Sequence, residues 1–320
     1  TAEGKGQARG AGAYSAEGAP AKGGATGSKR MALLDTNALL SHGATETLQD
    51  VGSIRGQRNE DYWLQFMSGV NPRDPKVPMV YEKFVNQLRA SGVNVKREGT
   101  QTNIMALTDK DVDQLAGSRN LATADGVDWN KGLQPIRGGL FDTAMTGGHN
   151  GKRWSAIKFA EPMPNPVMEE PIRRLLGLTQ KDFQGVISGS QDLSGFGSGP
   201  RAIHKALTSI DLDKELAKTR AVISMGKRTE RDQAIRKLGY LKSAKKLGIE
   251  PEDWMLKRAP VLPPAFRPVN MMSNNMPLIN DANYLYKELF EANNNLSGMK
   301  DLVGDDIGEE RLAVYNAFKA

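Results

Sequence analysis

Apolar residues recur every three to four positions along much of the chain, which is the spacing of an amphipathic helix. This spacing runs from Met31 to Asp50 and is interrupted at Gly43, so it predicts two short helices there. Thr108 precedes an Asp-Lys-Asp run, and its hydroxyl can cap a helix over 108–116. The same pattern predicts helices over 61–67, 79–90, 172–178, 200–247 with breaks near Gly226 and Gly239, 281–300 and 309–320. The last two, joined by 301–308, predict an αα-hairpin.

Strands are few, and glycine and proline punctuate the chain between the helices. Residues 93–95 and 155–159 are typical of short strands. Prolines from 162 to 171 predict irregular structure, and the proline-rich stretch 259–268 can be neither a helix nor a central strand. Gly-Ser repetition at 185–199 predicts a linker or mobile loop. The whole pattern predicts an α+β fold that is mostly helical and loop-rich.

Composition excludes several classes of protein and leaves nucleic-acid binding open. No run of about 18 apolar residues occurs, which excludes a membrane span. The lack of cysteine excludes disulfides and cysteine-ligated zinc. The net charge is +6, yet Lys214 to Lys246 alone, with eleven basic and three acidic residues, carries +8. This block suits a polyphosphate partner, and it equally suits a solvated helix surface.

The sequence contains no self-contained active site. There is no phosphate-binding Gly-x-x-x-x-Gly-Lys motif and no nucleophile elbow between a strand and a helix. Neighbouring carboxylates at 111–113, 211–213 and 305–306 lie in or beside predicted surface helices, where capping and solvation explain them better than metal binding. Trp129, Trp154 and Trp254 are interpreted as core anchors.

The second half of the chain carries five motifs in an order that resembles one family. They are Gly-Gly-Leu-Phe-Asp at 138–142, Ser-Ala-Ile-Lys-Phe-Ala-Glu-Pro at 155–162, Trp-Met at 254–255, Pro-Val-Leu-Pro-Pro-Ala-Phe-Arg-Pro at 260–268, and Asn-Tyr-Leu-Tyr to Asn-Asn-Asn-Leu at 283–296. In this order and spacing they resemble the start of the largest (β′) subunit of multisubunit DNA-dependent RNA polymerases. The resemblance implies the base of the mobile clamp, the lid and the clamp helical hairpin.

The first hundred residues resemble the end of the second-largest (β) subunit of the same family. Lys29-Arg30-Met31 through His42-Gly43-Ala44 to Thr47-Leu48-Gln49 carries this likeness, and residues 80–95 resemble the helix and strand that close β. The chain is therefore interpreted as a β tail joined to a β′ head near residues 96–104. The implied divisions are a Gly-rich basic loop at 1–30, a β-like clamp anchor at 31–97, a β′-like clamp region at 98–250, a lid-like loop at 251–280 and the clamp hairpin at 281–320.

The sequence departs from the RNA polymerase pattern at several positions, and these differences limit what the resemblance implies. The four-cysteine zinc site of bacterial members is replaced by a short loop at 146–154, and the acidic Glu-Met-Glu becomes Leu33-Leu34-Asp35. In the hairpin, the basic positions that dock the promoter-recognition (σ) factor fall on Ala292 and Asn295, which weakens the case for ordinary σ docking. A short, cysteine-free, fused chain is most similar to divergent bacteriophage polymerases.

The resemblance also implies partners and an inactive isolated chain. The family's magnesium-binding aspartate cluster has no match here, so Mg²⁺ is expected in a partner catalytic subunit, and no cofactor in this chain. Other polymerase subunits, template DNA and nascent RNA are the expected partners, with an initiation factor on the hairpin and no membrane. The residues expected to contact nucleic acid are Lys29, Arg30, Lys257, Arg258, Phe266 and Arg267. Phe266 would stack near the RNA–DNA hybrid, with core packing as the alternative, and Arg267 would hold a phosphate.

A different class of protein also fits. A non-catalytic basic nucleic-acid-binding or virion structural protein would be a stable monomer that needs no partner chain. The polymerase interpretation instead predicts apolar surface left uncovered in the isolated chain. It places the protein in the cytoplasm of a bacterial host, with packaging in the virion as an alternative.

Overall fold

The computed structural model describes residues 7–8, 29–51, 60–71, 79–98, 101–123, 127–128, 134–146, 151–304 and 307–320. The chain divides into two compact units, Thr1–Phe84 and Val85–Ala320. Helices dominate, and the helix-rich α+β class predicted from the sequence is confirmed. No helix within these ranges is both long enough and apolar enough to cross a membrane.

The first unit is built from short elements with little buried surface. Two short strands pair antiparallel, and the helices follow: β1 (Gln7–Ala8), β2 (Lys29–Arg30), α1 (Leu33–Ser41), α2 (Thr45–Asp50), α3 (Glu60–Met67) and the start of α4 (Met79–Ala90). Gly43 separates α1 from α2 at φ +70°, a left-handed conformation that favours glycine, as predicted. Leu34, Leu64 and Met67 are 79%, 67% and 82% exposed, so this unit leaves large apolar side chains uncovered.

A β-hairpin and a capped helix open the second unit. Helix α4 ends before Gly92, and β3 (Val93–Glu98) then pairs antiparallel with β4 (Gln101–Ala106). Thr108 caps α5 (Asp109–Ala116): its Oγ1 accepts from the Asp111 amide while the Asp111 carboxylate accepts from the Thr108 amide. These elements confirm the predicted ones, and the predicted β–β′ junction falls within the hairpin.

Asn165 fastens this hairpin to the rest of the unit. Its side chain is fully buried, and Nδ2 donates to the carbonyls of Gly92 at 2.9 Å and Leu107 at 3.2 Å. Gly92 has φ +88°, and a Cβ built there would lie 2.4 Å from Asn165 Oδ1. Glycine is therefore required twice at this position, by the backbone conformation and by the buried amide.

We expect Gly92→Ala to lower the free energy of unfolding by about 2–4 kcal/mol, since it adds left-handed strain to a steric clash in a packed region. Urea unfolding followed by tryptophan fluorescence measures this loss. Gly248→Ala is the matched control, because Gly248 is also left-handed at φ +64° but has open space around its Cβ. If the two variants lost the same stability, the contact with Asn165 would have no energetic role.

The remaining elements form three two-stranded ribbons, a helical layer and a long helical hairpin. They are β5 (Val127–Asp128), β6 (Gln134–Pro135), α6 (Thr143–Thr146), β7 (Ser155–Pro164), α7 (Glu169–Leu176), α8 (Gln180–Ser188), α9 (Pro200–Thr208), α10 (Leu212–Met225), α11 (Arg228–Leu247), β8 (Met255–Val261), β9 (Val269–Met271), β10 (Pro277–Ile279), α12 (Asp281–Val303) and α13 (Gly308–Lys319). Strands β5–β6, β7–β8 and β9–β10 pair antiparallel. Helices α12 and α13 form the predicted αα-hairpin.

Proline and glycine break the helices and strands less than predicted. Strand β7 continues through Pro162, because the β7–β8 register shifts between Lys158 and Met163 and no regular ladder bond is needed there. Pro171 lies in the first turn of α7, where a missing N–H costs nothing. Gly239 lies inside an unbroken α11. The predicted loop at 185–199 begins inside α8, whose last residue is Ser188.

Among the described residues of the second unit, three clusters of buried side chains form the core. One joins the β7–β8 ribbon to α12 and α13, one fills the layer of α7 to α11, and one lies under α5. Trp154 and Trp254 are buried in these clusters as predicted, whereas Trp129 lies outside the described residues. Leu289 and Leu296 of α12 pack into the first cluster, while Leu285 is 40% exposed.

Candidate nucleic-acid interface

The proline-rich segment leaves the β7–β8 ribbon and leads to α12. Pro260 pairs with Ala156 in the ribbon, and beyond β8 the chain forms a single 3₁₀ turn at Pro264–Phe266. Residues 119–121 bond to β7 on the side away from β8, and among the described residues no further strand pairs with β8, so Pro260 removes no bond to a neighbouring strand. The segment then enters β9, turns at Asn275 with φ +60°, and returns through β10.

Arg267 holds this segment from inside the protein. Its side chain is fully buried, with Nε donating to the Leu262 carbonyl at 2.6 Å, Nη1 to Asn283 Oδ1 at 2.7 Å and Nη2 to the Leu140 carbonyl at 2.7 Å. The guanidinium also lies over the rings of Phe141, 4.9 Å from its centroid, and Tyr286, at 5.8 Å. Burial lowers the pKa of Arg267 to about 10, which still leaves it charged at neutral pH.

Arg267 and Phe266 do not lie where a nucleic acid can touch them. The guanidinium of Arg267 is buried and donates its hydrogen bonds to protein oxygens. The predicted contact of Arg267 with a phosphate does not fit this arrangement. Phe266 is 1% exposed and packs with Leu107, Trp154 and Leu262, which is the core-packing alternative. Sequence pattern alone did not separate these roles, because the partners of both side chains lie far away in the chain.

The exposed surface of the segment is the β9–β10 hairpin. Its large apolar side chains face solvent: Met271, Met272, Met276 and Leu278, at 54%, 43%, 57% and 57% exposed. None of them is among the residues expected from the sequence to contact nucleic acid, although three methionines within six residues next to the proline-rich motif are a visible signal.

Lys257 and Arg258 lie on β8, beside α5. The Lys257 side chain is exposed, while its backbone amide donates to Asp109 Oδ1 at 2.8 Å. Burial raises the pKa of Asp109 despite the neighbouring Lys257 and Arg258. Arg258 donates to the Gly117 carbonyl at 2.6 Å and forms an ion pair with Asp113. Lys257 thus stays available to a phosphate, whereas Arg258 is engaged within the protein.

Lys29 and Arg30 form β2 in the first unit, paired with Ala8 and Gln7. Their side chains lie outside what the structure describes. Their contact with nucleic acid stays a prediction.

A buried carboxylate fixes the αα-hairpin to β7. Glu161 is 1% exposed, and it accepts hydrogen bonds from Lys300 of α12 at 2.7 Å and from Arg311 Nε of α13 at 2.9 Å. Burial acts to raise the pKa of Glu161, but the hydrogen bonds and charges of Arg311 and Lys300 outweigh it and hold this pKa below its ordinary value. Asn293 adds a neutral link, accepting from the Ala160 amide and donating to the Lys158 carbonyl, both at 2.9 Å.

Ala292 and Asn295, the positions that carry σ-docking basic residues in the family, differ in exposure. Asn295 faces solvent on α12, whereas Ala292 is partly buried against the core.

Helices α10 and α11 pack against each other and carry the +8 segment. Lys237 is half-buried and bound to Glu215 at 2.6 Å, and the other ten basic side chains of the segment are exposed. The charge of this segment is visible in the sequence, but none of these residues is among the expected nucleic-acid contacts.

Comparison with known proteins finds relatives for about half of the chain. It is 28% identical over 146 residues to DNA-directed RNA polymerase subunit beta′ of Bacillus licheniformis, 32% over 154 residues to that of Rubrobacter xylanophilus, and 26% over 177 residues to that of Symbiobacterium thermophilum. These matches cover 46%, 48% and 55% of this chain but only 12%, 12% and 15% of the relatives. No protein-family model matches the chain. The likeness of the first hundred residues to the end of β, and the bacteriophage origin, stay predictions. About half of the chain is therefore related to a small part of the β′ subunit of bacterial DNA-directed RNA polymerases.

Proposed function

We propose that this chain is the clamp and lid portion of a DNA-dependent RNA polymerase, which holds DNA and separates nascent RNA from the template. One observation carries the proposal: in a chain of which about half is related to β′, the proline-rich segment is held rigidly between the β7–β8 ribbon and the α12–α13 hairpin. Arg267 supplies this rigidity by tying the segment to Leu140 and to Asn283 of α12.

The β9–β10 hairpin is the part of this segment suited to act as the wedge. Its base is fixed by Arg267, and its exposed methionines are flexible apolar side chains that can pack against the end base pair of a hybrid. In this proposal Phe266 and Arg267 position the wedge from within and do not touch RNA or DNA. Of the expected contacts in the lid-like segment 251–280, Lys257, exposed on β8, is the one whose charge is available to a phosphate.

Partner chains are an essential part of the proposal. Nucleotidyl transfer belongs to a partner that carries the aspartate cluster and its Mg²⁺, because nothing in this sequence matches that motif. The exposed Leu34, Leu64 and Met67 suit burial against such a partner, since apolar surface of this kind marks interaction sites. The outer surface of the αα-hairpin, where Tyr284 and Leu302 are 55% and 81% exposed, suits an initiation factor.

Native purification of the tagged chain from the cells in which it is made, followed by mass spectrometry, tests the proposal. We expect stoichiometric partners that include a polypeptide with an Asp-x-Asp-Gly-Asp motif, and promoter-independent RNA synthesis by the purified assembly. A folded chain that purifies alone, at 34.8 kDa, would support the non-catalytic binding protein instead.

A charge substitution in the first unit sharpens this test. The double variant Leu34→Glu/Met67→Glu places carboxylates on the exposed apolar surface and is expected to reduce partner recovery at least tenfold, since burying an unpaired charge costs several kcal/mol. Met225→Glu is the matched control, because Met225 is 90% exposed at the end of α10 in the other unit. Equal recovery with both variants would remove the first unit from the assembly surface.

A further inference from the structure

Helix α11 carries basic side chains along one outward side. Arg228, Arg231, Lys242 and Lys246 are spaced close to whole helical turns, so they lie on the same side, and each is exposed. From the first to the last, the row is about 27 Å long at 1.5 Å per residue. Among the residues that the structure describes, no carboxylate lies within ion-pair distance of any of the four. We call these four residues the basic row.

Helix α10 extends the basic row sideways. A cavity of about 360 Å³ between the two helices is lined by Arg220 of α10 and by Lys242, Lys245 and Lys246 of α11. Asp213 is the acidic residue in this lining, and it is already paired with Lys245. Asp213 therefore leaves three cations of the cavity unpaired: Arg220, Lys242 and Lys246.

Gly239 lies in the middle of the same side of α11, between Arg231 and Lys242. Glycine inside a helix is about 0.5–1 kcal/mol less favourable than alanine. No packing constraint within the described structure explains it here, since a Cβ at Gly239 would meet no atom within 4 Å. A position without a side chain, set among cations, lets a partner approach the helix backbone closely.

We propose that the basic row, with Gly239 at its centre, binds the phosphate backbone of duplex DNA without reading its sequence. Unpaired cations complement phosphates, and lysine and arginine contacts of this kind fix position rather than sequence. A membrane surface fits less well, because Ile235 is the one large apolar side chain exposed along the row. The choice of duplex DNA as the polyanion rests on the proposed function.

Removing two charges of the row tests the contact. Binding of the full chain to a fluorescent duplex of about 30 base pairs is measured by anisotropy between 50 and 200 mM KCl. Each lost phosphate contact lowers the slope of log K against log salt by about 0.9, so Arg231→Gln/Lys242→Gln is expected to lower it by about 1.8 and to weaken binding at least tenfold at 50 mM. Lys110→Gln/Lys205→Gln removes the same charge from exposed sites on α5 and α9 and is expected to change affinity less than twofold.

A neutral substitution then separates close approach from charge alone. Gly239→Leu favours the helix but fills the gap in the basic row, and we expect about tenfold weaker DNA binding with unchanged or higher helix stability. Gln233→Leu is the matched control and is expected to bind DNA normally. Gln233 lies on a different side of α11 from the basic row, where it lines a second cavity next to α7.

The proposal is overturned if the wild-type chain binds no duplex, if Arg231→Gln/Lys242→Gln leaves both slope and affinity unchanged, or if Gly239→Leu binds like the wild type. Loss of a polymerase subunit from the native assembly in the Gln variants, with duplex binding intact, would make the row a protein-docking surface and would equally overturn it. None of these results touches the native purification described above. Failure of the DNA contact is therefore distinguishable from failure of the polymerase assignment.

Discussion

Replacing Arg267 by methionine is expected to lower the free energy of unfolding by about 3–6 kcal/mol. The substitution keeps much of the side-chain volume but leaves the carbonyls of Leu262 and Leu140 and the side chain of Asn283 without their donor. A buried polar group that loses its partner costs about 1–3 kcal/mol, and three are affected. Urea unfolding followed by tryptophan fluorescence reports the change, since Trp154 and Trp254 are buried in the same unit.

Arg267→Lys separates the charge from the shape of the guanidinium. An ammonium keeps the charge but cannot direct three donors in one plane, so we expect this variant to recover less than half of the loss. Lys257→Met, an exposed substitution on β8, is the control and is expected to stay within about 0.5 kcal/mol of the wild type.

The opposite pattern would restore the phosphate role predicted from the sequence. If Arg267→Met unfolded like the wild type but bound DNA poorly, Arg267 would have to leave its buried site to meet a phosphate. Stability and DNA binding measured on the same preparations therefore decide between an internal anchor and a surface contact.

Local sequence signals predicted the elements whose causes are local. Thr108 and Asp111 cap α5 within one turn, and Gly43 separates α1 from α2 through its own backbone conformation. Such signals act over three or four residues, so they can be recognised in the sequence alone. The αα-hairpin follows from helical periodicity in the same way.

Proline and glycine disrupt the structure less than predicted where a residue far along the chain changes their energetic cost. Pro162 continues β7 because the partner strand β8 is out of register opposite it, and β8 lies almost a hundred residues further along the chain. Gly239 does not break α11, since a helix held by tertiary packing tolerates one glycine. The register of β7 against β8 and the packing of α11 are long-range contacts, which a single sequence does not reveal.

The candidate site was predicted by residue type and corrected by burial. An arginine after a proline-rich motif is compatible with a phosphate contact or an internal anchor, and only the position of Leu140 and Asn283 decides between them. The basic row was visible as charge, but its alignment on one side of α11 depends on an unbroken helix through Gly239. The predicted break there hid it.

The second large effect is expected at Glu161. Glu161→Gln removes the negative charge that Arg311 and Lys300 share, and breaking a buried ion pair on one side costs about 3–5 kcal/mol. Because this carboxylate joins α12 and α13 to β7, we expect the loss in global stability and faster amide exchange along α13. Glu170→Gln, which breaks an exposed pair with Arg174 within α7, is the control and is expected to cost less than about 0.5 kcal/mol.

The same carboxylate makes stability depend on acid in a defined direction. The pKa of Glu161 is held below its ordinary value of 4.5 in the folded protein, so the unfolded chain binds its proton first as pH falls. Its contribution is complete above pH 4.5 and is lost as pH drops through the lower folded value. When the free energy of unfolding is measured from pH 7 to pH 3, we expect it to fall less steeply below pH 4.5 in Glu161→Gln than in the wild type. The residual slope belongs to the other carboxylates whose pKa is lowered in the folded protein. Among them are Glu169, whose hydrogen bonds from Lys319 and Tyr315 outweigh its burial, and Asp111, whose hydrogen bonds from Thr108 do the same. Parallel curves for the two proteins would mean that the pKa of Glu161 is the same in the folded and the unfolded chain, and that Arg311 and Lys300 do not hold the hairpin through its charge.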